Sequence, residues 1–237
     1  IRHAVNKDSA LYNRGVNPRF YAPGARPGAV TALPDEEGQH LTRVLRLKAG
    51  APIRVFDGRG HEFDALVEKA GKSEVLIAVG TARPAAAAEP RIAITLVQAV
   101  LKGDKMDAVV RDAVMMGVAA IQPIVTARSE VSLAALQRGR RRDRWQRIAV
   151  SSAKQCGRAV VPAVLEPCTF KDAAAALLDL TRETMPGRTL QGLMCVEPSA
   201  SADALSLGNL DATPPAGATI LVGPEGGWTA EEVAAGS

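Results

Sequence analysis

Apolar and polar residues alternate in short runs between residues 51 and 79, and tight turns separate these runs. The runs are Ile53–Phe56, Glu62–Val67 and Val75–Val79, and Asp57–Gly60 is the first turn. Alternation with a period of two predicts strands that bury one face, and tight turns predict antiparallel neighbours. The first third of the chain is therefore predicted to form a small antiparallel sheet.

A segment rich in alanine and proline, residues 83–91, interrupts this pattern. It contains two prolines and a run of four alanines, which is typical of a linker. We therefore predict a first domain over residues 18–82 and a second domain over residues 92–237. Residues 1–17 are interpreted as a leader or an expression tag, because the chain does not begin with methionine.

After the linker the pattern predicts a strand, a helix and a strand. Ile92–Val97 has the composition of a buried strand, and residues 119–125 have it again. Between them, apolar residues recur at the spacing of one helix face: Met106, Val109, Val110, Ala113 and Val114. Asp104 and Asp107 are expected to cap the start of this helix, and Gly117 is expected to end it. A strand, helix, strand unit predicts parallel strands and hence an α/β fold.

A second amphipathic helix is predicted from about Arg142 to Cys156, with a buried stripe that includes Trp145 and Ala149. Its opposite face and the residues before it form the densest positive region of the chain: Arg138, Arg140, Arg141, Arg142, Arg144, Arg147 and Lys154. Two interpretations stay open at this point. These cations could bind phosphate groups, or they could form an ordinary solvated face.

Two short apolar runs further along, Leu193–Val196 and Thr219–Val222, are predicted to be strands, and a loop that contains proline ends each of them. Ligands of parallel sheets bind beyond the carboxyl ends of the strands, so both loops are candidate site elements. The second loop, Gly223–Gly227, precedes a helix that is expected to begin at Thr229.

This glycine loop is the sharpest local signal in the sequence. Its glycines let a ligand approach the backbone, and the N–H groups of Gly226 and Gly227 are expected to be available to that ligand. The spacing is neither that of a dinucleotide fingerprint nor that of a Walker phosphate loop. A purely structural turn is the alternative interpretation.

Composition narrows the classes of function. The 237 residues are 47% hydrophobic and 3% aromatic, and no apolar run approaches the roughly 18 residues of a membrane span. Three cysteines without close pairing argue against a disulfide scaffold, so a soluble protein of a reducing cytoplasm is expected. The net charge of +4 permits a polyanionic partner without requiring one. With few aromatic residues, a nucleic acid would be held mainly by arginines and backbone groups.

Two kinds of catalytic site are poorly supported. His3, His40 and His61 all precede the predicted linker and the cysteines follow it, so a Cys–His pair would have to form across domains. The histidines are also too scattered to form a cluster of metal ligands, and no metal is expected.

Short segments in order along most of the chain carry a family resemblance: Arg19–Tyr21, His40–Arg46, Phe56–Gly58, Lys102–Asp107, Gln122–Pro123, Arg128–Ser129, Arg144–Trp145, Gln155–Arg158 and Gly223–Gly227. In these segments the sequence resembles the RsmE family of small-subunit ribosomal RNA methyltransferases, which belongs to the knotted SPOUT superfamily. The number and order of the matches make the resemblance specific, although each match alone would be weak.

The resemblance implies a fold and a reaction. The fold is a small PUA-like β-barrel that contacts RNA, followed by an α/β methyltransferase domain whose parallel sheet and C-terminal loops form a trefoil knot around the cofactor. The reaction is methylation of N3 of a uridine in 16S ribosomal RNA of the small subunit, with S-adenosylmethionine as the methyl donor. The family also implies a homodimer.

The resemblance also implies candidate site residues. The cofactor would lie against two loops, formed by Cys195, Val196, Glu197, Pro198, Leu221, Val222, Gly223, Pro224, Glu225, Gly226 and Gly227. The candidate catalytic residues are Arg128 and Arg158, which would stabilise the uridine anion, and Glu225, which would handle the proton. The candidate RNA contacts, mainly to phosphates, are Arg19, His40, Arg43, Arg46, Lys102 and Lys105. For His40 and Arg43 the alternative is a solvated helix start.

The sequence departs from the family pattern in two places. After the glycine loop the family continues with a helix, a strand and a Leu-Gly-x-Arg segment that completes the knot, and we expect a chain that ends at Ser237 to lack this segment. In the helix after Met106, Asp112 and the run Met115–Gly117 stand where the family has a basic residue and a Glu-Leu-Gly run. Two other functions stay open: a non-catalytic RNA-binding or ribosome-assembly protein, and a small-molecule enzyme that binds another nucleotide.

Overall fold

A computed structural model of the chain describes residues 17–71, 73–182, 190–197 and 215–236, with side chains except those of residues 177–182. The chain divides into two compact units. The N-terminal unit contains the described residues up to Ala87 together with Gly157–Val160, and the C-terminal unit contains the other described residues. The bounds of the domains and the linker given above stay predictions. Pro198 and nearly all of the predicted leader lie outside the described residues.

The N-terminal unit contains a five-stranded sheet in the spatial order β1-β3-β4-β5-β2. Its strands are β1 (Arg19–Tyr21), β2 (Val30–Ala32), β3 (Pro52–Phe56), β4 (Glu62–Ala70) and β5 (Val75–Arg83). Strands β3, β4 and β5 are antiparallel neighbours, with Val55 opposite Phe63, which confirms the prediction from alternation. Strand β1 pairs in parallel with β3, and a run of three residues is too short for periodicity to predict it.

The connection between β2 and β3 completes the core of this unit. It contains α1 (Asp35–Gln39), which continues into a π-helical turn (His40–Val44). Acidic residues fill the first turn of α1, where they face the positive end of the helix. Leu41 of the π-helical turn is fully buried and packs with Phe20 and Ile53 of the sheet.

The segment Gly157–Val160 is joined to the N-terminal unit through backbone contacts. The N–H of Gly60 donates to the carbonyl oxygen of Ala159 at 3.1 Å. Gly157 has a φ of +85°, and a Cβ there would lie 3.3 Å from the Cβ of Ala86, so this turn favours glycine. The turn before β4 is therefore a docking point for a segment that follows much later in the chain.

The C-terminal unit contains a parallel sheet in the spatial order β10-β11-β6-β7-β8, and β9 also pairs with β7. Its strands are β6 (Ala93–Ala99), β7 (Ala120–Val125), β8 (Ala163–Val164), β9 (Cys168–Thr169), β10 (Leu190–Cys195) and β11 (Gly217–Val222). Its helices are α2 (Lys105–Met116), α3 (Leu133–Arg138), α4 (Arg141–Cys156), α5 (Phe170–Arg182) and α6 (Ala230–Ala235). The parallel pairing of β6 with β7 confirms the predicted strand, helix, strand unit and the α/β class, while the knot stays a prediction.

Helix α2 begins and ends where the sequence predicts, but its first turn lacks the expected side-chain cap. Gly117 has a φ of +102°, and a Cβ there would collide with the ring of Pro90, so glycine is required. Asp104 occupies the predicted N-cap position and Asp107 lies in the first turn, but the side chain of Asp104 makes no capping hydrogen bond, so only this bond of the predicted cap is missing. Its carboxylate accepts instead from Nη2 of Arg144 at 3.3 Å, and the same guanidinium pairs with Asp107. Arg144 of the basic face thus joins α4 to the start of α2.

Helix α4 buries the face that its sequence predicts. Four stripe residues are buried and two are half-buried: Trp145, Ala149, Ser152 and Ala153, and then Ile148 and Cys156. Arg147 on the opposite face is exposed. Within the described ranges, no helix is both long and apolar enough to cross a membrane.

Candidate functional site

A cavity of about 350 Å³ opens at the carboxyl edge of the parallel sheet in the C-terminal unit. Strands β7, β10 and β11 run in the same direction, so the loops that follow them meet at this edge. The lining residues are Arg128, Cys195, Val196, Glu197, Gly223, Pro224, Gly226, Gly227 and Trp228. Most of the residues that the resemblance assigns to the cofactor therefore surround one cavity, and their role in binding stays a prediction.

The other residues assigned to the cofactor have different positions. Leu221 is buried within β11, and Val222 ends that strand. Glu225 is an exposed residue of the glycine loop, and Pro198 lies outside the described residues. In the part of the chain that the structure describes, no group of three or more His, Cys, Asp or Glu residues is placed to hold a metal ion.

The glycine loop is a compact turn that requires small residues. The N–H of Gly227 donates to the carbonyl oxygen of Pro224 at 2.9 Å, so the expectation that this N–H is available to a ligand is wrong. Gly227 has a φ of +69°, in the left-handed region that favours glycine. A Cβ at Gly223 would lie 3.0 Å from the ring of Trp228, so a larger residue there would displace the indole.

Trp228 joins the two loops that the resemblance assigns to the cofactor. Its indole Nε1 donates to the carbonyl oxygen of Cys195 at 2.9 Å. The indole also packs against Phe170, with ring centroids 5.3 Å apart, and the residue is buried. The amino-acid composition does not predict a role for Trp228. Its position directly after the glycine loop is the sequence signal that could have identified it as a residue of the site.

Arg128 lies in the turn after β7 and reaches the glycine loop. Its Nη1 donates to the carbonyl oxygen of Gly226 at 2.8 Å, and a Cβ at Gly226 would lie 3.3 Å from the Cβ of Arg128. A guanidinium carries five N–H groups, of which this bond occupies one. The structure therefore places a cation in the wall of the cavity, at a residue that was predicted to be catalytic.

Glu232, which is not among the predicted site residues, connects the turn after β7 to the start of α6. One carboxylate oxygen accepts from the N–H of Ala127 at 2.8 Å, and the other accepts from the N–H of Thr229 at 3.0 Å. Oγ1 of Thr229 accepts in return from the N–H of Glu232 at 3.2 Å, which completes a capping box. The Thr-x-x-Glu spacing is visible in the sequence, but the bond to Ala127 is not.

Glu225 is held by the loop that follows β6. Its Oε1 accepts from Nζ of Lys105 at 3.0 Å and from the N–H of Lys102 at 3.4 Å. The bond from Lys105 is the main cause of a pKa of Glu225 below its ordinary value. Because a carboxylate with a lowered pKa is a weaker base, this geometry does not support the proton-handling role of Glu225. Lys102 pairs through Nζ with Glu130 at 3.0 Å, so both candidate RNA lysines have acidic partners.

Arg158, the other candidate catalytic arginine, belongs to the N-terminal unit and is buried. Its carbonyl oxygen accepts from Nη2 of Arg19 at 2.8 Å. The Nε of Arg19 lies 3.1 Å from Oε2 of the buried Glu62, and its guanidinium lies 3.8 Å from the ring centroid of Phe56. Because its side chain is 11% exposed and has these internal partners, Arg19 stabilises the N-terminal unit. The RNA contact of Arg19 and the catalytic role of Arg158 stay predictions.

The remaining RNA candidates lie in and after the π-helical turn. His40 is half-buried, and its ring meets Phe20 edge-on, with centroids 6.1 Å apart. Arg43 and Arg46 are exposed, and Arg46 has a φ of +54°, which residues other than glycine adopt rarely. π-helical turns and left-handed residues concentrate at functional sites. This geometry supports a ligand contact for the two arginines, and the contact itself stays a prediction.

Two family models match the chain. Residues 88–236 match an RNA methyltransferase domain, and residues 33–79 match an RNA methyltransferase PUA domain. The first of these matches covers more than half of the chain.

Two similar proteins carry the name ribosomal RNA small subunit methyltransferase E. The protein of Synechocystis sp. is 30% identical over 211 residues, which are 86% of this chain and 62% of that protein. The protein of Bacillus subtilis is 26% identical over 210 residues, which are 85% of this chain and 76% of that protein. The chain thus spans less than two thirds of the length of the Synechocystis relative.

Two solved structures with bound S-adenosylmethionine are also similar. One is a ribosomal RNA small subunit methyltransferase E from Neisseria gonorrhoeae, 31% identical, with a TM-score of 0.75 over 93% of this chain and 84% of that chain. The other is a methyltransferase from Legionella pneumophila, 28% identical, with a TM-score of 0.76 over 92% of this chain and 84% of that chain.

Proposed function

This chain belongs to the family of the ribosomal RNA small subunit methyltransferases E, and we propose that it transfers a methyl group from S-adenosylmethionine to N3 of a uridine in 16S ribosomal RNA. The observation that carries this proposal is the cavity at the carboxyl edge of the parallel sheet, lined by the two loops that the resemblance assigns to the cofactor. The similar structures from Neisseria gonorrhoeae and Legionella pneumophila bind this cofactor, which supports the same ligand here.

The residues around the cavity fit S-adenosylmethionine. A volume of about 350 Å³ lies in the range of small-ligand sites, about 300–1,000 Å³. Val196, Pro224 and Trp228 offer apolar surface for an adenine ring, and the carboxylate of Glu197 suits a ribose hydroxyl or a cationic group. The glycines keep the backbone open to close approach. When bound, the cofactor supplies a methyl group on a positively charged sulfur.

The residues of the chain contribute mainly through position and charge. N3 of uridine is a weakly acidic imide nitrogen, and it becomes a competent nucleophile when its proton passes to solvent water and a fixed cation stabilises the negative charge on the exocyclic carbonyl oxygens O2 and O4. Arg128 presents such a cation at the cavity, and its bond to Gly226 holds it there. Methyl transfer requires the reacting atoms to lie in line, so rigid loops around the cavity favour the reaction. We assign the charge-stabilising role to Arg128.

The proposal includes two macromolecular partners, 16S ribosomal RNA in the small subunit and a second copy of this chain. Arg43 and Arg46 of the N-terminal unit are exposed and would contact phosphates, which are attracted to cations through counterion release. Family membership supports the homodimer, and Met115 and Met116 on α2 expose apolar surface that a second copy could cover. Because the proposed substrate is ribosomal RNA, the proposed place of action is the cytoplasm.

The test is the transfer of a radiolabelled methyl group to small ribosomal subunits that lack the modification. Wild-type protein is expected to label one uridine of 16S ribosomal RNA at N3, mapped by mass spectrometry. Arg128→Ala is expected to lower the rate by about 100-fold, because one charge-stabilising donor is lost. Arg91→Ala removes an exposed arginine of the same unit that lies outside the cavity lining and outside the positive region around α4, and it is expected to keep the rate.

Three outcomes would contradict the proposal or a part of it. A folded wild-type protein that transfers no methyl group would overturn the assigned activity, and RNA binding without cofactor binding would identify the non-catalytic alternative. An equal rate in Arg128→Ala and wild type would remove Arg128 from the mechanism.

A further inference from the structure

The carboxylate of Glu232 bonds to two segments that are distant in the sequence. Glu232 lies in the first turn of α6 and is 9% exposed. Its Oε1 accepts from the N–H of Ala127 at 2.8 Å, and its Oε2 accepts from the N–H of Thr229 at 3.0 Å. Hydrogen bonds to an ionised carboxylate are shorter and stronger than neutral ones. This side chain therefore ties the turn after β7 to the segment that follows the glycine loop.

The bond to Ala127 is not part of the helix cap. The capping box consists of the two reciprocal bonds between Thr229 and Glu232, and it would satisfy the start of α6 without any other partner. Ala127 is separated from Glu232 by 105 positions in the sequence. Because the second oxygen makes this long-range bond, Glu232 has a role beyond the stability of a six-residue helix.

The residue next to Ala127 is Arg128. Nη1 of Arg128 donates to the carbonyl oxygen of Gly226, so the same turn is tied to the glycine loop at a second point. The bond between Ala127 and Glu232 acts on the backbone before the arginine, and the bond to Gly226 acts on its guanidinium. Together with the bond from the N–H of Thr126 to Oγ of Ser129 at 3.0 Å inside the turn, they restrain the position of Arg128 and the direction of its side chain.

We propose that Glu232 is a positioning residue of the reaction: it holds the backbone of Ala127 so that the guanidinium of Arg128 stays at the wall of the cavity. This inference rests on the proposed function, in which Arg128 stabilises the charge that develops on uridine. When the hydrogen bond between Ala127 and Glu232 is lost, the turn after β7 is free to move. A misplacement of the arginine by about 1 Å is expected to cost up to about 100-fold in rate.

The test compares Glu232→Ala with Thr229→Ala. Thr229→Ala removes the side chain that caps α6 but retains the carboxylate of Glu232 and its bond to Ala127. Amide hydrogen exchange of Ala127, followed by NMR in the protein without cofactor, measures the protection that the bond to Glu232 gives, independently of activity. Exchange at Ala127 is expected to be at least about 10-fold faster in Glu232→Ala and unchanged in Thr229→Ala.

The kinetic arm measures kcat and KM for methyl transfer to small subunits. Glu232→Ala is expected to lower kcat by about 10-fold or more, with KM for the subunit within about threefold of wild type, and Thr229→Ala is expected to keep kcat. In an Arg128→Ala background, Glu232→Ala is expected to cause little further loss, because both changes act on one arginine. Glu232→Gln keeps the size of the side chain but has one uncharged acceptor oxygen for two N–H groups, so exchange at Ala127 is expected to rise less than in Glu232→Ala but measurably above wild type, and this variant tests the inference if the alanine variant does not fold.

The possible failures are distinguishable. If wild-type protein neither binds the cofactor nor transfers a methyl group, the proposed function fails and the positioning role falls with it. If wild type is active but exchange at Ala127 is the same in wild type, Glu232→Ala and Glu232→Gln, the tie does not hold the turn and the inference is overturned. Equal losses of kcat in Thr229→Ala and Glu232→Ala would reduce Glu232 to a capping residue and would also overturn it.

Discussion

The indole Nε1 of Trp228 donates a hydrogen bond to the carbonyl oxygen of Cys195 at 2.9 Å, and this bond joins the two loops that line the cavity. The loops follow neighbouring parallel strands, β10 and β11, in which Cys195 lies opposite Val222. Beyond that pair the strand hydrogen bonds end. The separation of the loops, and with it the shape of the cavity, therefore depends on a side chain.

Trp228→Phe removes the donor but keeps an aromatic ring against Phe170. Cys195 is exposed and the lost bond is part-buried, so we expect the free energy of unfolding in urea to fall by about 0.5–1.5 kcal/mol, the net contribution of a typical intramolecular hydrogen bond. We also expect the affinity for S-adenosylmethionine, measured by calorimetry, to fall by about 10-fold, because a loss near 1.4 kcal/mol in binding corresponds to that factor. The control is Trp145→Phe, which alters a buried tryptophan of α4 and is expected to lower stability without changing the affinity. An unchanged affinity in Trp228→Phe would contradict this role.

The pKa of Glu225 lies below its ordinary value, chiefly because Lys105 donates a hydrogen bond to it. For a carboxyl group with a lowered folded-state pKa, the stabilising contribution is present above the unfolded pKa and is lost as the pH falls through the folded value. Lys105→Met is therefore expected to raise the pKa of Glu225 and to weaken this loss of stability at acid pH. Carboxyl carbon shifts followed by NMR from neutral to acid pH measure the change.

Lys102→Met is the matched control for the Glu225 titration. Lys102 reaches Glu225 through its backbone N–H, and its Nζ pairs with Glu130. The substitution removes a nearby cation but keeps the hydrogen bond from the backbone N–H of residue 102 to Glu225, so the pKa of Glu225 is expected to stay close to the wild-type value. The same pKa of Glu225 in Lys105→Met and in wild type would show that Lys105 is not the cause.

Arg46 combines an exposed cation with a left-handed backbone. Replacing it by glycine is therefore expected to maintain or raise stability while lowering the affinity for RNA. Arg46→Gly relieves a φ of +54°, so the free energy of unfolding is expected to stay constant or to rise by up to about 1 kcal/mol. Affinity for small-subunit RNA is expected to fall, and the slope of log K against log salt is expected to decrease by about one, because one phosphate contact is lost. Arg46→Lys keeps the charge and is expected to keep the slope. Identical slopes in Arg46→Gly and wild type would exclude a phosphate contact.

Arg19 is expected to affect stability more than RNA binding. Arg19→Met leaves the carboxylate of Glu62, whose side chain is fully buried, with Arg83 as its remaining cation at 3.9 Å. Removing one partner of a buried ion pair costs about 3–5 kcal/mol, and urea unfolding is expected to show a loss of about this size. Glu62→Gln in the Arg19→Met protein removes the buried negative charge and is expected to restore part of the lost free energy of unfolding. If the double variant were as unstable as Arg19→Met alone, the buried pair would not be the cause.

Local periodicity predicted those parts of the fold in which the signal repeats over several residues. Helix α2 has five apolar residues at helical spacing and a glycine at its end, and the structure confirms both features. Strand β1 has only three residues, which is too few to show a period. The apolar residues of the π-helical turn have no spacing that distinguishes it from an α-helix, so neither element was predictable. Asp104 shows the limit of capping rules, because an arginine of another helix binds the carboxylate that the rule assigns to the cap.

The candidate site was predictable where its residues are close in the sequence. The two loops were identified because each ends an apolar strand, and the family resemblance then assigned Cys195–Glu197 and Gly223–Gly227 to the cofactor. The contacts that shape the cavity are long-range: Trp228 with Cys195, and Glu232 with Ala127. The spacing of residues within one segment cannot predict these contacts, because they form only when the parallel sheet brings the ends of its strands together.

The proposed reaction requires that the cavity bind the cofactor. We would titrate S-adenosylmethionine into the folded wild-type chain by calorimetry, with Trp145→Phe and Trp228→Phe measured beside it. The predicted result is saturable binding at about one site per chain, retained in Trp145→Phe and weakened by about 10-fold in Trp228→Phe. No binding by a wild-type chain that unfolds cooperatively would contradict the account.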